Sequence, residues 1–332
     1  MTKKDQQKAI LRILRADSAP QSSSRISEQL SAIGNGIGER SVRLYLQEMG
    51  KGGLTRRKGR GHIITERGLA ELYSTSALQR VGFMSARIDR MTYQMDFDLV
   101  DRSGSVIVNV TMVEPHELEE RLDLICKVYE SGYAMGRLLA LFGPGDTIGY
   151  RIVPRGMVGI GTVSSIALNG VLLKHGIPAN SRFGGLLELE AGKPTRFVEI
   201  INYEGTSIDP LEVFISSGMT NYVGAVKTGD GRIGAGFREF PAESKPRVEE
   251  LAEKLDRVGL GGFLSVGMPG QPLLDISVSE GCVGSIVIGG LNPVAILEET
   301  GLRARSYSLA GLIRYQLLFP YQELRDRVSE HL

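Results

Sequence analysis

The sequence predicts a mixed α/β (α+β) protein in two parts: an N-terminal winged helix-turn-helix, then an internally duplicated α/β body with pseudo-twofold symmetry. Three observations predict it. The first is uneven charge. Residues 1–70 carry 14 Lys/Arg against 6 Asp/Glu, whereas the full 332 residues carry 39 against 38. A head of local charge +8 therefore precedes a body of −7. Second, three short helical patterns in the head lead into a basic, glycine-bearing hairpin. Third, the chain beyond residue 80 repeats itself once at an offset of 125–127 residues.

The head builds up element by element. Ile10, Leu11, Ile13 and Leu14 fall among Lys3, Lys4, Lys8, Arg12 and Arg15, a helix with one apolar face. Ser18-Ala19-Pro20 breaks it. Ser23 or Ser24 is expected to cap a second helix through Leu30, with Ile26 and Leu30 inward. Gly34-Asn35-Gly36 supplies a turn. A third helix runs from about Gly38 to Met49, with Val42, Leu46 and Met49 facing inward at i, i+4, i+7. Gly50, Gly52 and Gly53 end it. Leu54 and Ile63-Ile64 are paired strand ends of a hairpin whose tip holds Arg56, Arg57, Lys58 and Arg60. Thr65 opens a closing helix that continues over 71–79.

Positive charge concentrated on a third helix and a wing suits duplex DNA. Arg40 and Arg43 are the expected base readers, because a guanidinium offers two donors to guanine; Ser41 and Gln47 are secondary readers. Arg56, Arg57, Lys58 and Arg60 are the expected phosphate contacts of the wing. A solvated face on a protein-binding domain is the plainer alternative.

In the body, GMVGIGTVSSIALNGVLLKHGI (156–177) aligns without a gap on GCVGSIVIGGLNPVAILEETGL (281–302). Leu124, Val128 and Gly132 match Leu251, Leu255 and Gly259, and Gly185 matches Gly311. Each half reads as a strand (Val106–Met112; Arg232–Phe240), then a helix (His116–Glu130; Ser244–Arg257). A short strand follows (Arg137–Leu141; Gly262–Val266), then a buried strand (Val158–Val163; Val283–Ile288). A helix ending at Gly176 or Gly301 comes next, and a last strand starts near Gly185 or Gly311. The expected divisions are 1–75, 80–204 and 205–332, with a ligand cleft between the halves. Asp209-Pro210 and Asn292-Pro293 read as N-cap and N1 pairs, and the Gly289-Gly290 loop could present free N–H groups to an anion.

Enzyme motifs are missing. There is no phosphate loop, no dinucleotide fingerprint over 156–161, no nucleophile elbow, and no His four residues after His116. Four His and two Cys, widely scattered, form no metal cluster by spacing. Cys126 and Cys282 give no disulfide framework, no apolar run approaches the ~20 residues of a membrane helix, and a cytoplasmic protein without a cofactor is expected.

GERSVRLYLQEMGKGGLT (38–55) followed by RVGF (80–83) resembles the joint of winged helix and regulatory domain in the NrpR family. MVGIGTVSSIALNGVLLKHGIP (157–178), EGTSIDPLEVFISSGMT (204–220) and GCVGSIVIGGLNPVAILEETG (281–301) resemble that family's regulatory domain. The resemblance implies an archaeal-type repressor of nitrogen-assimilation genes, with one winged helix and one regulatory domain, acting as a homodimer or higher homo-oligomer. It implies binding to dyad-symmetric operators and release by the effector 2-oxoglutarate. A dicarboxylate calls for Arg, Lys or exposed N–H groups. The candidates are Thr162, Ser164, Ser165, Arg182, Thr206, Ser207, Gly289, Gly290 and Asn292. Two other readings remain: a metabolite-binding α/β enzyme with an autoregulatory winged helix, and a DNA-binding scaffold that senses a partner protein.

Overall fold

The computed structural model describes residues 3–16, 19–32, 36–73, 83–302 and 304–331. Ser18, the turn residues Gly34 and Asn35, and the helical continuation expected over 74–79 lie outside them. The chain divides into two compact units, 1–81 and 82–332, and each is described by itself.

In the first unit, α1 (Lys3–Ala16), α2 (Ser23–Ala32) and α3 (Glu39–Lys51) precede the hairpin β1 (Thr55–Lys58) and β2 (Gly61–Ile64), and α4 (Glu66–Tyr73) closes it. Ile10, Leu11 and Leu14 of α1, Ile26 and Leu30 of α2, and Val42, Leu46 and Met49 of α3 form one buried core. Each such side chain contributes about 1.5–3 kcal/mol of burial. Gln21, fully buried, exchanges both backbone hydrogen bonds with His62 at 2.9 and 2.8 Å, adding a strand-like rung beside β2. That rung corrects one expectation. Since Gln21 is pinned, α2 starts at once, and its capping hydroxyl is that of Ser22, which accepts from the Arg25 N–H at 3.3 Å. The Ser23 and Ser24 hydroxyls go instead to Glu39 and Glu28.

The second unit opens with α5 (Met84–Gln94). Its first half then runs β3 (Ser105–Val113), α6 (Pro115–Glu119), α7 (Leu122–Glu130), β4 (Leu138–Phe142), β5 (Thr147–Ile148), β6 (Arg151–Ile152), β7 (Val158–Val163), α8 (Ala167–Lys174), β8 (Asn180–Glu190) and β9 (Lys193–Asn202). After α9 (Pro210–Ser216) and α10 (Tyr222–Thr228), the second half runs β10 (Gly231–Pro241), α11 (Lys245–Arg257), β11 (Phe263–Val266), β12 (Cys282–Ile288), α12 (Asn292–Glu299), β13 (Arg305–Arg314), β14 (Phe319–Pro320) and α13 (Leu324–His331).

The strands form two five-stranded sheets, β13-β3-β7-β4-β14 and β11-β12-β10-β8-β9. The repeat maps β3, β7 and β4 onto β10, β12 and β11, and β8 onto β13. Each half therefore gives its last strands to the other's sheet, β8 and β9 from the first and β13 and β14 from the second. Strand β13 pairs antiparallel with β3 (Gly311 opposite Val108), and β8 pairs with β10 in the matching register (Gly185 opposite Ala235). Helices cross over too. Val128 of α7 and Ile296 of α12 share one core, while Leu168 of α8 and Leu251 of α11 share the other. The halves are interlaced rather than set side by side.

Two boundaries differ from expectation. The helix over 116–130 is broken at Arg121 (φ −119, ψ 6), whose guanidinium bonds the Glu117 carbonyl at 3.0 Å. The last strands begin at Asn180 and Arg305, several residues earlier than Gly185 and Gly311. Those glycines mark close chain crossings within a strand, where a Cβ would lie 2.6 Å from the Glu199 carbonyl oxygen and 2.7 Å from the Gly149 nitrogen.

Candidate nucleic-acid interface and the cavity between the halves

Inward spacing of Val42, Leu46 and Met49 leaves the other face of α3 to solvent. Arg40, Ser41, Arg43 and Gln47 are all exposed on it, together with Leu44, which is 54% exposed. Arg43 pairs with Glu39 at 2.6 Å, and Glu39 also accepts from Ser23 at 3.0 Å. These two bonds hold the Glu39 carboxyl below the usual range. Glu48, the other acid of the helix, is taken by Lys3 at 2.9 Å and Gln7 at 3.1 Å. Arg40 has no partner among the described residues. So α3 presents one free guanidinium, one tethered guanidinium and an apolar contact of the kind that meets a thymine methyl.

In the hairpin, Thr55 pairs with Ile64 and Lys58 with Gly61, so the tip is residues 59–60. Arg56, Arg57, Lys58 and Arg60 are exposed, and the segment 55–64 holds no acidic residue. None of the four has a carboxylate partner among the described residues. Burial and the nearby Arg57 push the His62 imidazole below its ordinary pKa, so it adds no charge at neutral pH. The wing is a compact set of four permanent cations held by a core-anchored hairpin, suited to phosphate oxygens.

In the body, the turns after the equivalent strands β7 and β12 meet. A Cβ on Gly290 would lie 2.6 Å from the Val163 carbonyl oxygen and 2.9 Å from Ser164 Cα, so only glycine lets these turns approach. Beside this crossing is a cavity of about 20 Å³, lined by Met84, Ile88, Asn109, Ser164, Ser165, Ile166, Tyr203, Asp209, Leu211, Gly290, Leu291 and Ser308. That space holds about one water. Asp209 caps α9 by accepting from the Leu211 N–H at 2.8 Å. Burial and neighbouring Glu212 push its carboxyl up to about 6. The Ser308 hydroxyl is buried without a partner.

Of the nine expected ligand residues, Ser164, Ser165 and Gly290 line this cavity. Thr162 is buried nearby in β7, its hydroxyl unpartnered. Asn292 is not an N-cap. It lies inside α12, accepts from the Tyr222 hydroxyl at 2.6 Å, and donates to the Tyr133 and Gly234 carbonyls, both at 2.9 Å. The Gly289 N–H is not free either, since it donates to the Gly234 carbonyl at 2.9 Å. Arg182 is held by Glu239 at 2.8 Å and by the Ser277 carbonyl. Thr206 closes a local turn with Ile208, and Ser207 lies in that turn. Sequence reasoning missed Asn109 and Ser308 as lining residues. Asn109 had a signal, an amide inside the apolar run VIVNV; Ser308 had none, because only the bulge where Leu309 takes φ +45 brings it to the cavity.

Among the described residues, no helix is long and apolar enough to cross a membrane, and no group of His, Cys, Asp and Glu could hold a metal.

Residues 81–319 match the family described as NrpR regulatory domains NRD1 and 2, and residues 8–72 match the Ribonuclease R winged-helix domain. The global nitrogen regulator NrpRI of Methanosarcina mazei is 31% identical over 310 residues, covering 93% of this chain and 95% of its own. The global nitrogen regulator NrpR of Methanocaldococcus jannaschii is 33% identical over 311 residues, 93% of this chain and 54% of that protein. That of Methanococcus maripaludis is 30% identical over 296 residues, 89% of this chain and 51% of that protein. The chain thus spans nearly all of the first relative and about half of the other two. A solved nitrogen repressor-like protein from Methanococcus jannaschii, 25% identical, superposes with a TM-score of 0.61 over 72% of this chain and 98% of that one. These relatives are regulators by name, not enzymes.

Proposed function

The chain belongs to the NrpR regulatory-domain family, and from that premise we propose that it is a transcriptional repressor of nitrogen-assimilation genes. The observation that carries this reading is the pairing of a family body with an acid-free basic wing and an exposed Arg40–Gln47 helix face. In this reading a homodimer, or a higher homo-oligomer, presents two copies of α3 to the two halves of a dyad operator in successive major grooves. The wing cations neutralise phosphates, which supplies affinity without sequence choice.

The effector is 2-oxoglutarate, which releases the operator. It acts by binding the DNA-released state better than the DNA-bound one; a ~100-fold preference is worth ~2.7 kcal/mol per site. In the present conformation the cavity between the halves is too small for it and offers hydroxyls, an amide and a carboxylate rather than cations.

The test is a DNA titration on the protein's own upstream regions at fixed salt, with and without 2-oxoglutarate. The expected result is specific binding that 2-oxoglutarate, but not succinate or glutamate, weakens at least tenfold. Specific binding indifferent to all three would leave a DNA-binding protein that answers to another signal, such as a partner protein.

A further inference from the structure

Helix α3 carries one side chain that its fold does not require. Leu44 is 54% exposed, and among the described residues it is the one large apolar side chain of the first unit left in solvent. It is no part of the core, a role that Val42, Leu46 and Met49 fill. Helix propensity does not call for it either, since Lys, Arg and Gln serve an exposed helical position about as well.

Its place on the helix is specific. At about 100° per residue, Arg40, Leu44 and Lys51 all lie within about 30° of the line directly opposite the three core residues. Gln47 lies beside them, and all four are exposed. Leu44 thus sits in the middle of the most prominent stripe of α3, one turn after Arg40 and one turn before Gln47. Arg43 is drawn to one side of this stripe by Glu39, which Ser23 of α2 holds in turn. Glu48 is occupied by Lys3 and Gln7. Both carboxylates of the helix are therefore engaged, and the stripe presents one apolar side chain between cations.

Size and setting decide what covers it. A protein interface takes about 800 Å² per partner with an apolar centre, and a lone leucine among cations is no such patch. Duplex DNA suits it. Cations meet phosphates and guanine, and the one apolar group that a base pair offers in the major groove is the 5-methyl of thymine. Arg40 and Leu44 are about 6 Å apart along the helix axis, close to two base-pair steps.

Resting on the reading of this chain as an operator-binding repressor, we propose that Leu44 is a specificity-determining residue. Its side chain packs on the 5-methyl group of a thymine in each half of the operator, within two base pairs of the guanine that Arg40 reads. Duplex RNA does not fit, because it carries uracil and its major groove is too deep and narrow for side chains to read.

The experiment is fluorescence anisotropy of the full chain, at fixed salt, on the duplex that footprinting defines within its own upstream regions. Each thymine in turn is replaced by deoxyuridine, which removes only the methyl group. The expected result is one thymine per half-site whose replacement weakens binding by the parent at least threefold. Leu44→Ala should bind the unmodified duplex at least fivefold more weakly, lose the penalty at that thymine, and bind random duplex as the parent does. Leu44 is exposed and alanine is the better helix former, so the melting temperature should not fall. Leu44→Met, which keeps an apolar end, should retain the penalty. The absence of any thymine with a penalty overturns the proposal, as does a penalty that persists in full in Leu44→Ala. Equal loss on operator and random duplex also overturns it and makes Leu44 a non-specific contact. Unchanged DNA binding by Leu44→Ala overturns it and leaves the side chain to another partner. If the parent binds no upstream region specifically, the repressor reading falls, and this proposal with it.

Discussion

Arg43 and Lys58 carry the same charge in different settings. Arg43 lies on the exposed face of α3 with its guanidinium tethered to Glu39, whereas Lys58 ends β1 beside the hairpin tip. Arg43→Ala is expected to reduce discrimination between operator and random DNA by ~1–3 kcal/mol. Lys58→Ala should weaken binding to all sequences and flatten the salt dependence by roughly one counterion. Filter binding or fluorescence anisotropy over a salt series separates the two, and equal loss on every sequence for Arg43→Ala would remove it as a reader. Asp209 shows a residue working against stability. Its folded pKa of about 6 lies above the ordinary 3.8. The folded state therefore binds this proton more tightly than the unfolded chain, and stability from this group rises as pH falls from about 6 towards 4. Asp209→Asn keeps a capping oxygen. It should stabilise the body by about 1–2 kcal/mol at pH 7.5 and flatten that acid-side rise in thermal unfolding.

At the scale of elements, the turns after β7 and β12 are the tightest point of the body. Gly290 sits where the Asn109 side chain and the Val163–Ser164 backbone leave no room for a methyl group. Gly290→Ala is expected to cost about 1–3 kcal/mol through overpacking, read as a lowered denaturation midpoint with an unchanged slope. Helix α12 is anchored there by Asn292, whose three hydrogen bonds reach α10, β10 and the loop before β4. An asparagine just before proline looks like a cap in sequence, and the helix instead begins with it turned inward. The wing shows the converse. Thr55–Ile64 pairing is local, so the hairpin follows from its own ten residues, anchored by the rung from Gln21 to His62.

Across the regulatory body, exchange of β8 and β13 between the two sheets joins the halves into one folding unit. Strand β13 pairs with β3 across about 200 residues of chain, as Gly311 opposite Val108 shows. Such long-range pairing slows folding, because loop closure precedes the contacts that reward it. Residues 83–332 are expected to unfold in one cooperative transition, followed by circular dichroism and hydrogen exchange. A fragment holding only residues 83–204 is expected to stay unfolded, since its β3 lacks β13 and its β8 lacks β10. A folded fragment would show that the halves are independent after all. An opening of about 280 Å³ also draws on both halves, taking Arg102 and His175 from the first and the Arg247–Arg257 face of α11 from the second.

The sequence alone determined what depends on neighbours along the chain. Val42, Leu46 and Met49 at helical spacing set which face of α3 is exposed, and so placed Arg40 and Arg43 in solvent. The nearly constant offset between Gly159 and Gly284 (125) and between Leu124 and Leu251 (127) exposed the duplication, and the GTSIDPLEVFI stretch carried the family. Only the tertiary structure decided which strand pairs with which. Both β8 and β13 are apolar strands of a repeated unit, so composition does not tell a strand's own half from the other; chain closure in three dimensions does. The same holds for the opening lined by Arg102 and the α11 face. Arg102, Arg247 and Arg257 look like ordinary solvated charges in sequence. They meet around one opening only because the fold brings together segments some 150 residues apart and ties its two sides through Tyr315 and Gln316.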